Sequence, residues 1–554
     1  MPYMKLPQNH VDTPYSYSTP HFLKLNITRS ALKKYEKKPL VWSSEGAGVY
    51  DITDLNENIR QDRGSSVVIQ LKKDMQEYAD EKRVETVLKK YSNFVNFPIF
   101  LNGNRVNTIN AVWAEEPKTI SDDTYTDFYK FIANAYDEPF DKLHFRADAP
   151  LEIKALFYIP SFHSEKYGMG RMESSVSLYS RKILIESKSP DILPDWMRFI
   201  KGVVDSEDLP LSISREKAQD SSLVKKLRKV LTRKFINHLT TMARKKPEKY
   251  KDEFYKEYAH FLKEGICAPS ELEFQGALSK LIYFETNKTM NGEITSLEEY
   301  LSRCTPEQKE IYYLCAPSRE LAIQSPYLEA FENAGREVIF VYTAIDDFVM
   351  ANLEKFEGRA IISADKSDID FGGDDKEKDD EIGETEKVDP ITGIQSRLSG
   401  EEAIEFCDWF KTVLPEKVSS CKVTNRLTSS PAVVTDSESG AMRRMMHMVN
   451  TQDGSGMEAM PLPKQQVEIN PNHPIIVGIN ASREIEPAVA KMCVEQIYDN
   501  CLVAAGLLDD GRTMLGRLND ILLCVVKQAA SSKVALPDEN VSNPPTSDKV
   551  DEKD

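Results

Sequence analysis

The chain of 554 residues is poor in cysteine and in long apolar runs, and its charge balance is short of cations. Its eight cysteines form no C-x-x-C pair and no Cys/His cluster. That argues against a zinc site or a disulfide scaffold and fits a reducing compartment. The longest apolar stretches are "VIFVYTAI" and "CLVAAGLL", well short of the roughly 18 residues that cross a bilayer. No membrane span is expected. The formal net charge is −17, which disfavours a general nucleic-acid binder, because phosphate contacts need a basic face. There is no G-x-x-x-x-G-K-[ST] loop, no H-E-x-x-H and no nucleophile elbow. "SSEGAGVYD" and "KYGMGRMESS" are Gly-containing turns without the strand-before, helix-after context of a phosphate loop. No metal site is expected.

What is present reads as several domains of multidomain α/β and α+β class. Residues 1–21 are polar, rich in Pro, Tyr and Ser, and lack an apolar core or arginine; they read as a disordered start, neither a secretory signal nor a mitochondrial presequence. Residues 22–72 read as three short strands, "FLKLNITRS", "GVYDI" and "SSVVIQL", the edge of a larger sheet. Residues 73–364 read as a mixed domain. It has a helix carrying Val84, Val87, Leu88 and Tyr91 on one face. Strands follow in "PIFLNG", "PLEIKALFYIP" and "SVSLYSRKILIES". A long helix from Ser221 repeats Leu223, Leu227, Val230, Leu231, Phe235 and Leu239 at helical spacing. Its other face carries Lys225, Lys226, Arg228, Lys229, Arg233 and Lys234, which is either a solvated face or a dock for an acidic partner. "EVIFVYTAIDDFVMANLEKFEGRAIISAD" reads as strand, helix, strand.

Residues 365–395 are acidic and almost free of large apolar side chains, the composition of a disordered linker. Residues 396–531 form a last domain that begins with a helix, "GEEAIEFCDWFKTVL". Its Met442, Met445, Met446 and Met448 form a cluster that is either an adaptable binding surface or core filler. Two helices close it. One carries Val489, Cys493, Ile497 and Cys501 on one stripe; the other carries Leu515, Leu518, Ile521, Leu522 and Val525. A four-helix bundle between two chains would bury both stripes. Residues 532–554 read as a disordered tail.

One segment raises a question that composition does not answer. "GVVDSEDLPLSISREKAQD", Gly202 to Asp220, places Arg215 on a polar loop before the long helix, and a guanidinium is suited to grip a phosphate. Together with "LYSRKILIESKSPDILPDWMRFIK" it resembles the middle domain of the heat-shock protein 90 chaperones. "WSSEGAGVYDI" and "RGSSVVIQLKKD" resemble the last strands of that family's N-terminal ATP domain. "INAVWAEEPKTISDDTYTDFYKFI", "TSLEEYLSRCTPEQKEIYYL" and "LEKFEGRAI" continue the middle domain, and "VEINPNHPII" and "QIYDNCLVAAGLLDDGRTMLGRLN" resemble the dimerisation domain. The likeness covers roughly residues 22–530. "SSVSLYSRKILI", "DILPDWMRFI" and "YYLCAPSRELA" resemble the mitochondrial branch, that of the tumour necrosis factor receptor-associated chaperones.

The resemblance implies an ATP-dependent chaperone that binds client proteins as a homodimer and uses ATP with Mg. It assigns Arg215 to the γ-phosphate, Gln219 to orienting the same loop, and Ser65 to a position near the adenine. It implies client contact at Trp113, Met442, Met445 and Met446, and dimerisation through Ile497, Leu518, Ile521 and Leu522. It implies a mitochondrial site, with cytoplasm the alternative. The likeness begins only at the end of the family's ATP domain, and no counterpart of its catalytic Glu helix, adenine-reading Asp loop or Gly-rich lid is found. The expectation is therefore that this chain alone lacks the ATP pocket and does not hydrolyse ATP. The alternatives are an ATP-driven chaperone represented by an incomplete sequence, or a dimeric adaptor that forms heterodimers with a full-length paralogue and regulates it.

Overall fold

A computed structural model describes residues 3–4, 27–32, 40–44, 50–54, 64–69, 71, 73–107, 109–149, 151–208, 221–367, 369, 397–436, 462–508 and 511–534. The chain divides into two compact units, Met1–Phe261 and Leu262–Asp554.

The first unit holds two main sheets. The four strands Asp51–Asp54, Leu40–Ser44, Ile27–Leu32 and Gly64–Ile69 lie in that order, all antiparallel. Three strands are expected here from the sequence; Leu40–Ser44 is a fourth, without an alternating apolar pattern to announce it. The larger sheet has five strands in the order Ile183–Glu186, Ser175–Ser180, Lys201–Ser206, Ile153–Ile159, Asp141–Ala147. Only the Ser175 and Lys201 strands run parallel. Its central strands are almost continuously buried, the pattern of a sheet covered on both faces. On one face Leu156, Tyr158 and Val203 pack with Tyr125, Phe128 and Tyr129 of the helix Asp122–Ala133. On the other, Phe145 stacks edge-on against Phe157 and lies under Lys234 of the helix Ser221–Lys245. That helix buries Leu227, Leu231, Phe235 and Leu239, as its spacing requires. Phe199, Phe235, Phe254, Tyr258 and Phe261 form an aromatic cluster beside it.

The second unit carries a six-stranded sheet in the order Thr295–Ser296, Tyr283–Thr286, Val338–Val341, Glu310–Cys315, Arg359–Ser363, Lys355–Phe356. Glu310–Cys315 runs parallel to both Val338–Val341 and Arg359–Ser363. The helix Ala344–Leu353 connects the last two, so the expected strand–helix–strand unit is present. A three-stranded sheet follows, with Gln465–Ile469 between Val418–Val423 (parallel) and Ala432–Thr435 (antiparallel). The helices Gly400–Val413 and Pro487–Ala504 bury Phe406, Phe410, Val494 and Ile497 in one core with Val434, Val467 and Ile469.

Two boundaries differ from the sequence reading. Asp365 is not the start of a free linker: its carbonyl accepts from Asp436 N, and Ser367 donates to the Asp436 carboxylate. In the rest of the acidic stretch, 368 and 370–396 lie outside the described residues. The last helix runs Leu515–Val534, past residue 531.

Candidate functional site

Three places stand out, two of which carry residues singled out by sequence. The first is the end of the strand Lys201–Ser206, which leads into the Arg215 loop. Arg215 and Gln219 themselves lie outside the described residues, and the helix from Ser221 follows them. At the strand end Asp205 is buried. Its Oδ2 accepts from Trp113 Nε1 and from Lys182 N, both at 3.0 Å. Lys182 and Arg181 form a two-residue hairpin turn with φ of 66° and 50°. Such a turn ordinarily calls for Asn-Gly. Two non-glycine residues there cost about 1–2 kcal/mol each, and the Asp205 bond offsets part of that. Burial pushes the Asp205 carboxyl above its ordinary value, against the hydrogen bonds of Trp113 and Lys182 that lower it.

Trp113 is fully buried, packed edge-on against Phe94 at 4.7 Å and tilted against Tyr179 at 5.0 Å. The sequence reading placed it on a client surface. The structure corrects this: Asp205 satisfies the indole N–H and the ring fills the core.

The second place was not legible in sequence. The loop that follows strand Ile153–Ile159 is pinned at two points. Glu165 accepts from Arg198 Nε at 2.7 Å and Nη2 at 2.8 Å, and its Oε1 also accepts from Met172 N at 2.7 Å. The Arg198 side chain is 2% exposed and its guanidinium lies 4.6 Å from the Phe261 ring centre. At the other point Lys166 pairs with Glu257, and His163 Nε2 lies 3.1 Å from Glu257 O. The pinned loop presents Phe162, Tyr167 and Met169 to solvent, at 50%, 62% and 76% exposure. Beside it lies a cleft of 460 Å³ lined by Arg171, Met172, Lys188, Leu193, Asp195 and Arg198. A rigid backbone offering apolar side chains next to mixed charge suits contact with an extended or partly folded chain. A Gly-punctuated loop gives no periodic signal, so only the structure marks it.

The third place is the closing pair of helices. Ile497, expected at a dimer interface, is buried in its own chain's core, as is Cys501. The helix Pro487–Ala504 packs on the Ala432 strand and the helix Gly400–Val413, partners that the apolar stripe alone does not reveal. On the helix Leu515–Val534 the case differs. Leu518 and Ile521 are half-buried, while Leu522, Leu523, Val525 and Val526 are exposed. Arg517 ties the two helices, pairing with Asp499 and Glu495 and donating to Gln496 Oε1 at 3.2 Å.

Ser65 lies in the strand Gly64–Ile69, opposite Ala31. Met442, Met445 and Met446 lie outside the described residues. Among the described residues no group of carboxylates, imidazoles and thiols is arranged to hold a metal ion, and no helix is long and apolar enough to cross a membrane.

Comparison with known proteins agrees with this architecture. The family model described as Hsp90 protein matches residues 102–554. The chain is 42% identical to the mitochondrial TNF receptor-associated protein 1 homolog of Dictyostelium discoideum, over 88% of this chain and 65% of that protein. It is 42% identical to the mitochondrial heat shock protein 75 kDa of Rattus norvegicus, over 87% of this chain and 66% of that protein. It is 40% identical to the chaperone protein HtpG of Desulfitobacterium hafniense, over 87% of this chain and 74% of that protein. The chain thus spans just under two-thirds of the length of the first two.

Proposed function

Because this chain belongs to the Hsp90 protein family, we propose that it is a molecular chaperone, a dimer that holds partly folded client proteins. The observation that carries the reading is the family match across residues 102–554. The pinned loop with Phe162, Tyr167 and Met169 supports a client-contact role for that surface. The exposed Leu522, Leu523, Val525 and Val526 support a second copy of the last helix as their cover.

The family binds ATP; we propose that Mg accompanies the nucleotide and that Arg215 with Gln219 would contribute from this chain. Arg215 would bind a γ-phosphate oxygen, Gln219 would hold the loop, and Ser65 would stand near the base. The motif around Arg215 supports this, and its test joins this chain to the nucleotide domain of a complete Hsp90-family protein and compares ATP turnover with and without Arg215→Ala. Loss of roughly 10³-fold or more is expected; unchanged turnover would remove Arg215 from the reaction. Mitochondria are the proposed compartment, on the names of the Dictyostelium and rat relatives.

The client reading is tested by suppression of aggregation of a thermally unfolding reporter enzyme. Phe162→Ser, Tyr167→Ser and Met169→Ser together should abolish most suppression while leaving the far-ultraviolet circular dichroism unchanged. Suppression equal to that of the unaltered chain would move client contact elsewhere.

A further inference from the structure

Within the second unit, the helix Pro326–Asn333 sits at a seam. Tyr327, Leu328 and Phe331 share a core with Leu427 and Val433, so the six-stranded sheet's layer meets the three-stranded sheet there. Glu329, on the rim of that core, faces the segment Thr428–Ser430. Its Oε2 accepts from Thr428 N at 2.7 Å, Ser429 N at 3.0 Å and Thr428 Oγ1 at 3.1 Å. Its Oε1 accepts from Ser429 Oγ at 2.7 Å and Ser430 Oγ at 2.6 Å. Two amides and three hydroxyls thus converge on one carboxylate.

The segment does not owe its shape to Glu329. Behind it stands Asn470, 1% exposed, whose Nδ2 donates to the carbonyls of Leu427, Thr428 and Ser430 at 3.2, 3.4 and 3.3 Å. Asn470 N donates to Pro431 O at 2.9 Å, and His473 Nε2 lies 3.1 Å from Ser429 O. The carbonyls are turned inward and held there. The N–H groups of Thr428 and Ser429 must then point outward whether or not a carboxylate is present, and the hydroxyls beside them can turn to join whatever acceptor sits there. Fixed amides flanked by rotatable hydroxyls on a concave surface are what binds an oxyanion without a cation. Thr428 and Ser429 are exposed, so an ion can reach them from solvent.

We propose that Thr428–Ser430 is a receptor for a carboxylate or phosphate oxyanion, filled in this conformation by Glu329. The contact is therefore a latch across the seam that a competing oxyanion ligand opens. The acidity of the latch agrees. Burial opposes ionisation of Glu329, but the hydrogen bonds from Ser430, Thr428 and Ser429 outweigh it and carry its carboxyl down to about 2.

Hydrogen exchange of the full chain tests this, with sodium acetate and inorganic phosphate as probes and chloride at matched ionic strength as control. In Glu329→Ala the amides of Thr428 and Ser429 should exchange about tenfold faster, which corresponds to about 1.4 kcal/mol. Acetate or phosphate should restore their protection and chloride should not. Restoration by acetate alone assigns the receptor to carboxylates of peptides or proteins; restoration by phosphate alone assigns it to phosphorylated ligands. In the unaltered chain, saturating probe should speed exchange of the helix 326–333. Glu329→Gln, which keeps the volume and still fills the site, should lose protection without any anion restoring it. If Glu329→Ala does not fold, Ser429→Ala with Ser430→Ala provides the second arm, and faster exchange of the helix 326–333 is expected. Amides as protected in Glu329→Ala as in the unaltered chain, restoration by chloride as well as by acetate, or an unchanged helix in the serine variant would each overturn the proposal.

Discussion

Removing the Glu165 carboxylate should cost more than removing its partner Arg198, although both changes break the same ion pair. The Arg198 side chain is 2% exposed and that of Glu165 is 17% exposed. In Glu165→Ala the guanidinium stays buried and loses two charge-assisted bonds, of 2.7 and 2.8 Å. A buried charge deprived of its partner costs about 3–5 kcal/mol. Asp195 offsets part of this, since its Oδ2 lies 3.6 Å from Arg198 Nη1 and its carbonyl accepts from Nη1 at 3.2 Å. The Phe261 ring at 4.6 Å also remains. The net expectation is about 3 kcal/mol. In Arg198→Met the thioether fills the space against Phe261. Glu165 turns toward water while keeping the amide of Met172, and the cost should be about 1–2 kcal/mol. Glu165→Leu combined with Arg198→Met should recover most of the loss, because an apolar pair of similar volume needs no desolvation. Urea unfolding followed by hydrogen exchange over residues 153–206 measures all three. The Glu165→Ala chain should also lose aggregation suppression, since Phe162, Tyr167 and Met169 are presented by the loop that Glu165 pins. A Glu165→Ala cost under about 1 kcal/mol, or an Arg198→Met cost that exceeds it, would refute the burial argument.

His163 uses both ring nitrogens while neutral, Nδ1 accepting from Lys166 N at 3.3 Å and Nε2 donating to Glu257 O at 3.1 Å. Burial holds its pKa below the ordinary 6.5, against the pull of Glu257 and Glu165 and with a smaller push from Lys166. The unfolded chain therefore protonates first, and stability of the loop is lost as pH falls from 6.5 through the folded value; relative to the intrinsic exchange rate at each pH, residues 161–172 should be less protected at about pH 5.5 than at about pH 7.5, and His163→Gln should remove that difference. Gly202 pairs with Phe157, and a Cβ there would lie 2.3 Å from Leu156 O. Gly202→Ala should therefore cost about 1–3 kcal/mol in urea unfolding, and a neutral result would mean that the strand shifts freely. Leu522→Asp with Val526→Asp should convert a dimer to a monomer in sedimentation, since paired apolar side chains at 60% and 63% exposure would become charges facing their own copies. An unchanged dimer would place the interface elsewhere.

Periodicity made the regular elements legible. Leu227, Leu231, Phe235 and Leu239 are buried because residues three or four apart share a helix face. The strand–helix–strand pattern of 338–363 appears as spaced. Periodicity names an apolar face but not its cover, and Ile497 shows the difference. Its stripe is real, yet the strands and helix that bury it belong to its own chain.

Trp113 shows the same gap for a polar partner. Nothing around "AVWAEE" announces that its N–H will meet Asp205, 92 residues further on. The pairs that shape the candidate sites all share this property: Glu165 with Arg198 at a separation of 33, and Glu329 with Ser429 at a separation of 100. A buried polar group must find a partner or cost several kcal/mol. The partner's position is set by how the elements pack, not by the residues beside it. A loop that must hold a fixed shape for binding is best pinned from elements distant in sequence, because a local bond moves with the loop it is meant to restrain. The candidate functional loops of this chain are therefore the parts whose anchors periodicity cannot reveal. Their rigidity is also where single substitutions such as Glu165→Ala and Glu329→Ala should act with least disturbance to the remaining fold.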